Sequence, residues 1–366
     1  MPNLRFEVVH GLLPDAVRTA WREFSQRATP FATPAFFDAW CTAFSRERSG
    51  FVVVGFHGDA PQVVLPLWHP RADPQSWFGL GEFRADYTEA VAVTDNIALG
   101  KSLWSWLASA APCRLVKLPR IPSDSLLART APPHDMRARV YDAATSLLRR
   151  GRARYQETRT HSEHPYADRA HVELLAQRLD SKETRRKINV LRRGGELTYE
   201  VLRGPAITAR LPAFFDMHVA AFTGTGRASQ FDVPAERAFY QALATSEALS
   251  EVLVLDVLAV GERPVAMHLG FQQHGRIYWY KPAFDLALAK GSPGRVLLAN
   301  LFARAAREEV QCVDMLKGDE PYKNDWANRV RPTLTSTIIE RSLREIVEGI
   351  AKQLRRKMVT SIGVAT

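Results

Sequence analysis

The stretch "EVLVLDVLAVGERPVAMHLGFQQHGRIYWYKPAF" occupies Glu251–Phe284, and "SPGRVLLANLFARAAREEV" follows at Ser292–Val310. The first reads as three successive strands: β-branched and aromatic runs turning at "VGERP" and "QHGR". The second reads as a helix, with Ser292 as its cap and Pro293 in its first turn. "CVDMLKG" (Cys312–Gly318) is then a strand, "PYKNDWAN" (Pro321–Asn328) a short helix and "RPTLTSTIIE" (Arg331–Glu340) a last strand. This order of strands and helices reads as an α/β fold.

Upstream, "SKETRRKINVLRR" (Ser181–Arg193) reads as a helix with Ser181 as N-cap and Gly194 as its stop. "ELTYEVL" alternates as a strand, and "ITARLPAFFDMHVAAF" and "PAERAFYQALATSEAL" are helical. The first half repeats this order. Two helices, "LPDAVRTAWREFSQR" and "TPAFFDAWCTAF", precede a hairpin, "GFVVVGFHGDAPQVVLPLWH". Extended "FGLGEFRADYTEAVAV", helical "NIALGKSLWSWLASA", the strand "CRLVKLPRI", a short helix "SDSLLARTA" and a closing strand in "ARVYDAATSLL" follow. The repeat predicts two copies of one fold. The boundaries read 1–150 for a first domain, 151–180 for a polar crossing segment, 181–341 for a second domain and 342–366 for an amphipathic C-terminal helix and tail.

With 366 residues, 46% hydrophobic and 24% charged, the chain has the balance of a soluble two-domain protein. It has no apolar run near the roughly 20 residues that span a bilayer and no export-signal pattern at its start. Cys41, Cys113 and Cys312 are widely spaced and lack metal-ligand spacing. They read as reduced and buried, which points to a cytoplasmic protein. The net charge of +10 suits anionic partners, phosphates, coenzyme A or tRNA, or simply a solubilising surface. It concentrates in Lys182, Arg185, Arg186, Lys187, Arg192 and Arg193, and again in Arg355, Arg356 and Lys357. His161, His164 and His171 have no companion ligand at usable spacing, so no metal is expected.

Three motifs, "SKETRRKINVLRR", "YKPAFDLALAKGSPGRVLL" and "VDMLKGDEPYKNDWA", resemble landmarks of the CelD-like acetyltransferases, the cellulose-biosynthesis-type family. "TPAFFDAWCTAF", "VVLPLW" and "ADYTEAVAV" resemble that family's N-terminal portion, and the resemblance covers roughly residues 30–340. It implies a three-layer α/β tandem GNAT fold with a mixed sheet, distantly FemAB-like, with an acyl-CoA (acetyl-CoA or another) as donor in the C-terminal copy. One departure is Val296, which stands where the coenzyme A loop of many GNAT enzymes has Gly or Ala.

In "LAKGSPGRV", the glycines let backbone amides approach a ligand and the helix start offers free N–H groups. Lys290, Gly291, Ser292, Gly294 and Arg295 are thus the candidate diphosphate seat, with Lys317 and Lys323 as further cations. A plain capped turn accounts for the same letters. In GNAT folds the acyl group and acceptor meet where the fourth and fifth strands part, which nominates Tyr322, just after the fifth strand, as an acid. Asp285 and His268 are candidate bases, beside Asp256, Asp314, Asp319 and Glu320. His218, Asp86, Tyr87 and Trp279 would line the acceptor cleft, with Trp77, Phe83 and Arg84; packing of the same aromatics is the plainer alternative. The first copy lacks the glycine pair and is expected to bind no coenzyme A.

The expected activity is N- or O-acyl transfer to a small metabolite or a saccharide. An aminoacyl-tRNA-dependent transferase and a non-catalytic partner in a biosynthetic assembly remain open.

Overall fold

The computed structural model describes residues 4–131, 152–223, 226 and 228–342. The expected C-terminal helix and the strand in "ARVYDAATSLL" lie outside these residues. The fold is mixed α/β, and it divides into two compact units that interleave along the chain. Of the described residues, the first holds 4–24, 51–131, 152–161 and 334–342, and the second 25–50, 162–223, 226 and 228–333. They therefore do not follow the contiguous boundaries read from the sequence.

In the first unit β1 (Arg5–His10) pairs antiparallel with β2 (Arg48–His57). The meander continues through β3 (Ala60–Pro70) to β4 (Ser76–Gly79), with the short β5 (Val91–Ala92) on β3. Helix α1 (Asp15–Phe24) buries Val17 and Trp21. Helix α3 (Ile97–Ser109) then leads to β6 (Leu115–Pro122), which lies parallel to β4, and α4 (Leu126–Thr130) follows. Leu65, Trp77, Leu103, Trp104 and Val116 form the core, and the Trp104 indole N–H donates to the Leu127 carbonyl at 3.0 Å.

The second unit repeats the plan. Its strands β8 (Leu197–Leu202), β9 (Leu253–Val260), β10 (Arg263–Gln273) and β11 (Arg276–Phe284) are antiparallel neighbours. Helix α9 (Pro293–Arg307) returns to β12 (Cys312–Asp314), which is parallel to β11. Helices α5 (Arg169–Ala176) and α6 (Lys182–Leu191) contribute Val172, Leu175 and Leu191 to the core that also holds Val296, Leu297, Leu301 and Phe302. Helices α7 (Pro205–Phe222) and α8 (Pro234–Thr245) bury Phe214, Phe215, Phe239 and Tyr240.

Three placements differ from the sequence reading. Residues 152–168, read as a crossing segment, form the long strand β7 (Arg152–Asp168), which pairs antiparallel with β12 at Cys312↔Asp168 and Asp314↔Tyr166. Polar side chains mask its pattern, and its partners hold it extended. The last strand, β13 (Arg329–Ser342), starts in the second unit, where Arg331 bonds Asp314 at 2.7 Å, and ends in the first, where Ile338 enters the core. Helix α2 (Pro34–Phe44) belongs to the second unit although it lies early in the chain. Thr33 caps it, accepting from the Phe36 amide at 3.3 Å. Phe36 meets Phe239 edge-on at 5.3 Å, and Phe31, just before the helix, meets Phe271 at 5.6 Å.

Because Phe36 is fully buried, Phe36→Ala should cost the second unit about 3–5 kcal/mol, read by urea unfolding. A loss below about 1 kcal/mol would mean that α2 is not part of that unit's core.

Candidate active site in the second unit

β12 is only three residues long, and its pairing with β11 ends at Tyr278↔Asp314. Beyond that point the Met315 amide donates to the Pro165 carbonyl at 2.9 Å, so the chain stays with β7. β11 runs on to Phe284 with β10 as its neighbour, and the two parallel strands part. Leu316, at φ 57°, and Gly318, at φ 120°, then carry the chain away from the ladder. Left-handed backbone is unstrained at Gly318 but unusual for a leucine.

A bulge sits on β11 at the same level. Leu269 pairs with Lys281 and Phe271 with Tyr278, so Trp279 and Tyr280 together oppose Gly270. The extra residue breaks the ladder, and the Tyr280 amide donates instead to His268 Nε2 at 3.0 Å. His268 Nδ1 lies 2.9 Å from Asp256 Oδ2. Asp256 Oδ1 also accepts from the Tyr199 hydroxyl at 2.6 Å and from Arg304 Nη2 at 3.1 Å. Asp256 and His268 are fully buried and Arg304 nearly so. Removal from water opposes charge on the imidazole and lowers its pKa, so His268 is neutral, with its proton on Nδ1. Both ring nitrogens are engaged, leaving neither to meet an acceptor.

The His268 ring stacks on Trp279 at 4.1 Å and 19°. The Trp279 indole N–H donates to the Tyr322 hydroxyl at 2.9 Å. Tyr322 lies in the 3₁₀ turn Pro321–Asp325, and the residue is 38% exposed. Burial pushes its pKa up to about 12 against the lowering effect of the indole bond. The hydroxyl thus stays protonated, and with the indole N–H bound to its oxygen its own hydrogen is free to face outward.

The tip of α9 departs from a capped turn. Ser292 is at φ 45°, ψ 58°, and its hydroxyl donates back to the Ala289 carbonyl at 3.3 Å rather than capping the helix. Arg295 and Val296 amides bond to the Ser292 carbonyl, while among the described residues the Gly294 amide makes no backbone hydrogen bond. Val296 points into the core and does not crowd the tip. The glycines have packing reasons. A Cβ on Gly291 would stand 2.4 Å from Leu191 Cδ2, and one on Gly294 would stand 3.1 Å from the Phe284 ring. Lys290 is exposed, with its carbonyl taking Lys187 Nζ at 3.3 Å. Among the described residues Arg295 has only long ion pairs, 3.9 Å to Glu183 and 3.8 Å to Asp325. A free amide, the positive end of a 15-residue helix and two loosely held cations fit an anionic phosphate.

The other candidates are placed as follows. Asp285 accepts from the Ala287 amide at 2.9 Å and pairs with Arg263, fixing the turn that leads to the α9 tip. Lys323 is buried, donating to the Lys317 carbonyl at 2.6 Å and pairing with Glu320 at 2.9 Å. It holds the 317–323 loop closed on itself. Asp314 is buried against Arg331, whereas Asp319 and Glu320 are exposed. His218 bonds Ser229 Oγ at 2.9 Å and stacks on Phe222 at 4.8 Å. Burial and the Lys281 charge hold its pKa down to about 4. Trp326 is buried against Phe302. Asp86 and Tyr87 are buried in the first unit.

The equivalent place in the first unit is built differently. The Gly81 amide donates to Thr88 Oγ1 at 3.0 Å, the Thr88 amide to the Arg120 carbonyl at 3.0 Å, and the Arg120 guanidinium to the Gly81 carbonyl. Asn96 caps α3, accepting from the Ala98 amide at 2.8 Å. Protein groups therefore bridge the strand ends and cover the helix tip.

The sequence reading missed Gly270, Tyr199 and Arg304. A glycine inside a β-branched strand was a bulge signal. Arg304 shares a helix face with Leu297 and Leu301, so it was legible as a buried cation needing a carboxylate.

If Gly291 serves packing, Gly291→Ala should cost about 1–3 kcal/mol, and Leu191→Ala should relieve part of that cost in the double variant. Additive losses in urea unfolding would assign Gly291 to another role.

Residues 180–324 match the family model described as acetyltransferase (GNAT) domain. The chain has no match among curated proteins. Among solved structures it is similar to a conserved protein of unknown function from Bacteroides thetaiotaomicron VPI-5482, at 15% identity over 93% of this chain and 100% of that one, with a TM-score of 0.50. It is also similar to FemX, at 10% identity over 90% of this chain and 96% of that one, with a TM-score of 0.53. A tandem GNAT protein from the clavulanic acid biosynthesis pathway aligns more loosely, at 13% identity over 91% and 98% of the two chains, with a TM-score of 0.42. The first two likenesses are of fold, and the stretch that carries the parted strands is the stretch that is similar to GNAT acetyltransferase domains.

Proposed function

We propose that the protein is an acyl-CoA-dependent N- or O-acyltransferase of the CelD-like kind, which moves an acetyl or other acyl group to a small metabolite or a saccharide in its second unit. The observation that carries this reading is the parting of β11 and β12 beside an α9 tip that no side chain among the described residues caps. The Gly294 amide, Lys290 and Arg295 would hold the donor's diphosphate. Bound acyl-CoA supplies a thioester, whose carbonyl carbon the acceptor's nitrogen or oxygen attacks as the C–S bond breaks.

Tyr322 acts in this reading as a hydrogen-bond donor to the negative charge that develops. A phenol held at about 12 is well above a thiol, whose ordinary value is about 8.5, so complete proton transfer to the thiolate would run uphill. Donation without transfer stabilises charge at no such cost. Asp319, Glu320 and Asp325, exposed carboxylates within three residues of Tyr322 in the chain, are the groups to receive the acceptor's proton. His218, neutral above about pH 4, can accept a hydrogen bond at the end of α7.

A second reading draws on α6, where Lys182, Arg185 and Arg186 are exposed, with Arg192 and Arg193 just beyond. Such a ridge suits a polyanionic donor such as an aminoacyl-tRNA. Its binding would weaken steeply with salt as counterions are released.

Acetyl-CoA should bind the wild type in calorimetry, and Tyr322→Phe should lower kcat for thiol release by roughly 100-fold with KM for acetyl-CoA within about threefold. No thioester binding, together with salt-sensitive tRNA binding, would replace the first reading with the second.

A further inference from the structure

We infer that His268 is a positioning residue: held by Asp256 behind it, it seats the Trp279 indole so that the indole N–H fixes the Tyr322 hydroxyl, and Gly270 leaves the imidazole its space. The inference rests on the reading of Tyr322 as the charge-stabilising donor.

Four contacts define the imidazole. Its Nδ1–H donates to a fully buried carboxylate whose other oxygen is taken by Tyr199 and Arg304. Its Nε2 accepts the Tyr280 amide, which the bulge has removed from the ladder. One face lies on the indole at 4.1 Å. The edge lies over Gly270, where a Cβ would stand 2.3 Å from Cε1, 2.6 Å from Nε2 and 2.5 Å from the Tyr278 carbonyl oxygen. Rotation of the ring would leave a buried carboxylate oxygen and a buried amide without partners at once, so the ring has one orientation. The indole inherits that orientation, and its N–H meets Tyr322 at 2.9 Å.

Arg304 closes the account of charge. Its guanidinium, which bonds Asp256, also bonds Gln272 at 2.6 Å and Glu308 at 3.0 Å, so the buried carboxylate is compensated without a second proton on His268. The relay transmits orientation, and no proton passes along it, because the Trp279 N–H is a donor only.

The test reads the geometry directly. In wild-type protein, nitrogen-15 spectra should show His268 as the neutral Nδ1–H tautomer from pH 5 to pH 8; an Nε2–H tautomer, or titration near 6.5, overturns the inference. The Trp279 indole resonance is assigned by its loss in Trp279→Phe and should move in Tyr322→Phe, which removes its acceptor. Gly270→Ala and His268→Asn, checked for folding by circular dichroism, should move the same resonance and lower thiol release from acetyl-CoA about tenfold with KM little changed. A folded Gly270→Ala that leaves the indole resonance unmoved sinks the relay. If the resonance moves but Tyr322→Phe leaves turnover intact, the relay stands and the role given to Tyr322 falls.

Discussion

One extra residue in β11 sets the site. Trp279 and Tyr280 share the space opposite Gly270, so the strand twists and one amide leaves the ladder. A stray buried amide is costly, and His268 meets it. The carboxylate of Asp256 then holds His268, and Arg304 neutralises Asp256. Removing any one partner strands a buried charge or a buried donor, which is why a polar cluster of this size persists in an apolar core. At the same level β12 stops pairing with β11, and the opening appears beside the bulge.

The two units show what such an opening needs. Both have a three-stranded meander, a helix and a strand parallel to the last of the meander. In the first, Asn96 covers the helix tip, and Gly81, Thr88 and Arg120 bridge the strand ends. In the second, Ser292 turns its hydroxyl away from the tip, and the chain just beyond β12 stays with β7 instead of β11. The same architecture thus yields one end satisfied by its own side chains and one with donors to offer.

Hydrophobic runs made much of this legible. The strands β9, β10 and β11, helix α9 and the hairpin β2–β3 follow from apolar runs between glycine and proline turns, because burial dominates their stability. The strand β7 did not follow, since Arg, Thr, Glu and His along it carry no alternation and its conformation comes from β12 and β13. Nor did the destination of α2, whose aromatic face fits either unit until Phe239 and Phe271 are in place. At the site, Tyr322, Trp279 and His268 were each named, but not as a connected set. The bond between Trp279 and Tyr322 joins positions 43 residues apart. Ser292 was misread as a cap because sequence gives the letter and not the φ of 45° that turns its hydroxyl back. Gly291 suggested a ligand, and Leu191 supplies a packing reason that only tertiary structure displays.

The central claim is that the parted strands and the α9 tip form one donor site. Hydrogen–deuterium exchange with and without acetyl-CoA addresses it most directly. The account predicts slowed exchange at residues 279–284, 290–296 and 315–318, with no change around Gly81, Thr88 and Asn96. Protection confined to the first unit, or none under saturating acetyl-CoA, would contradict it.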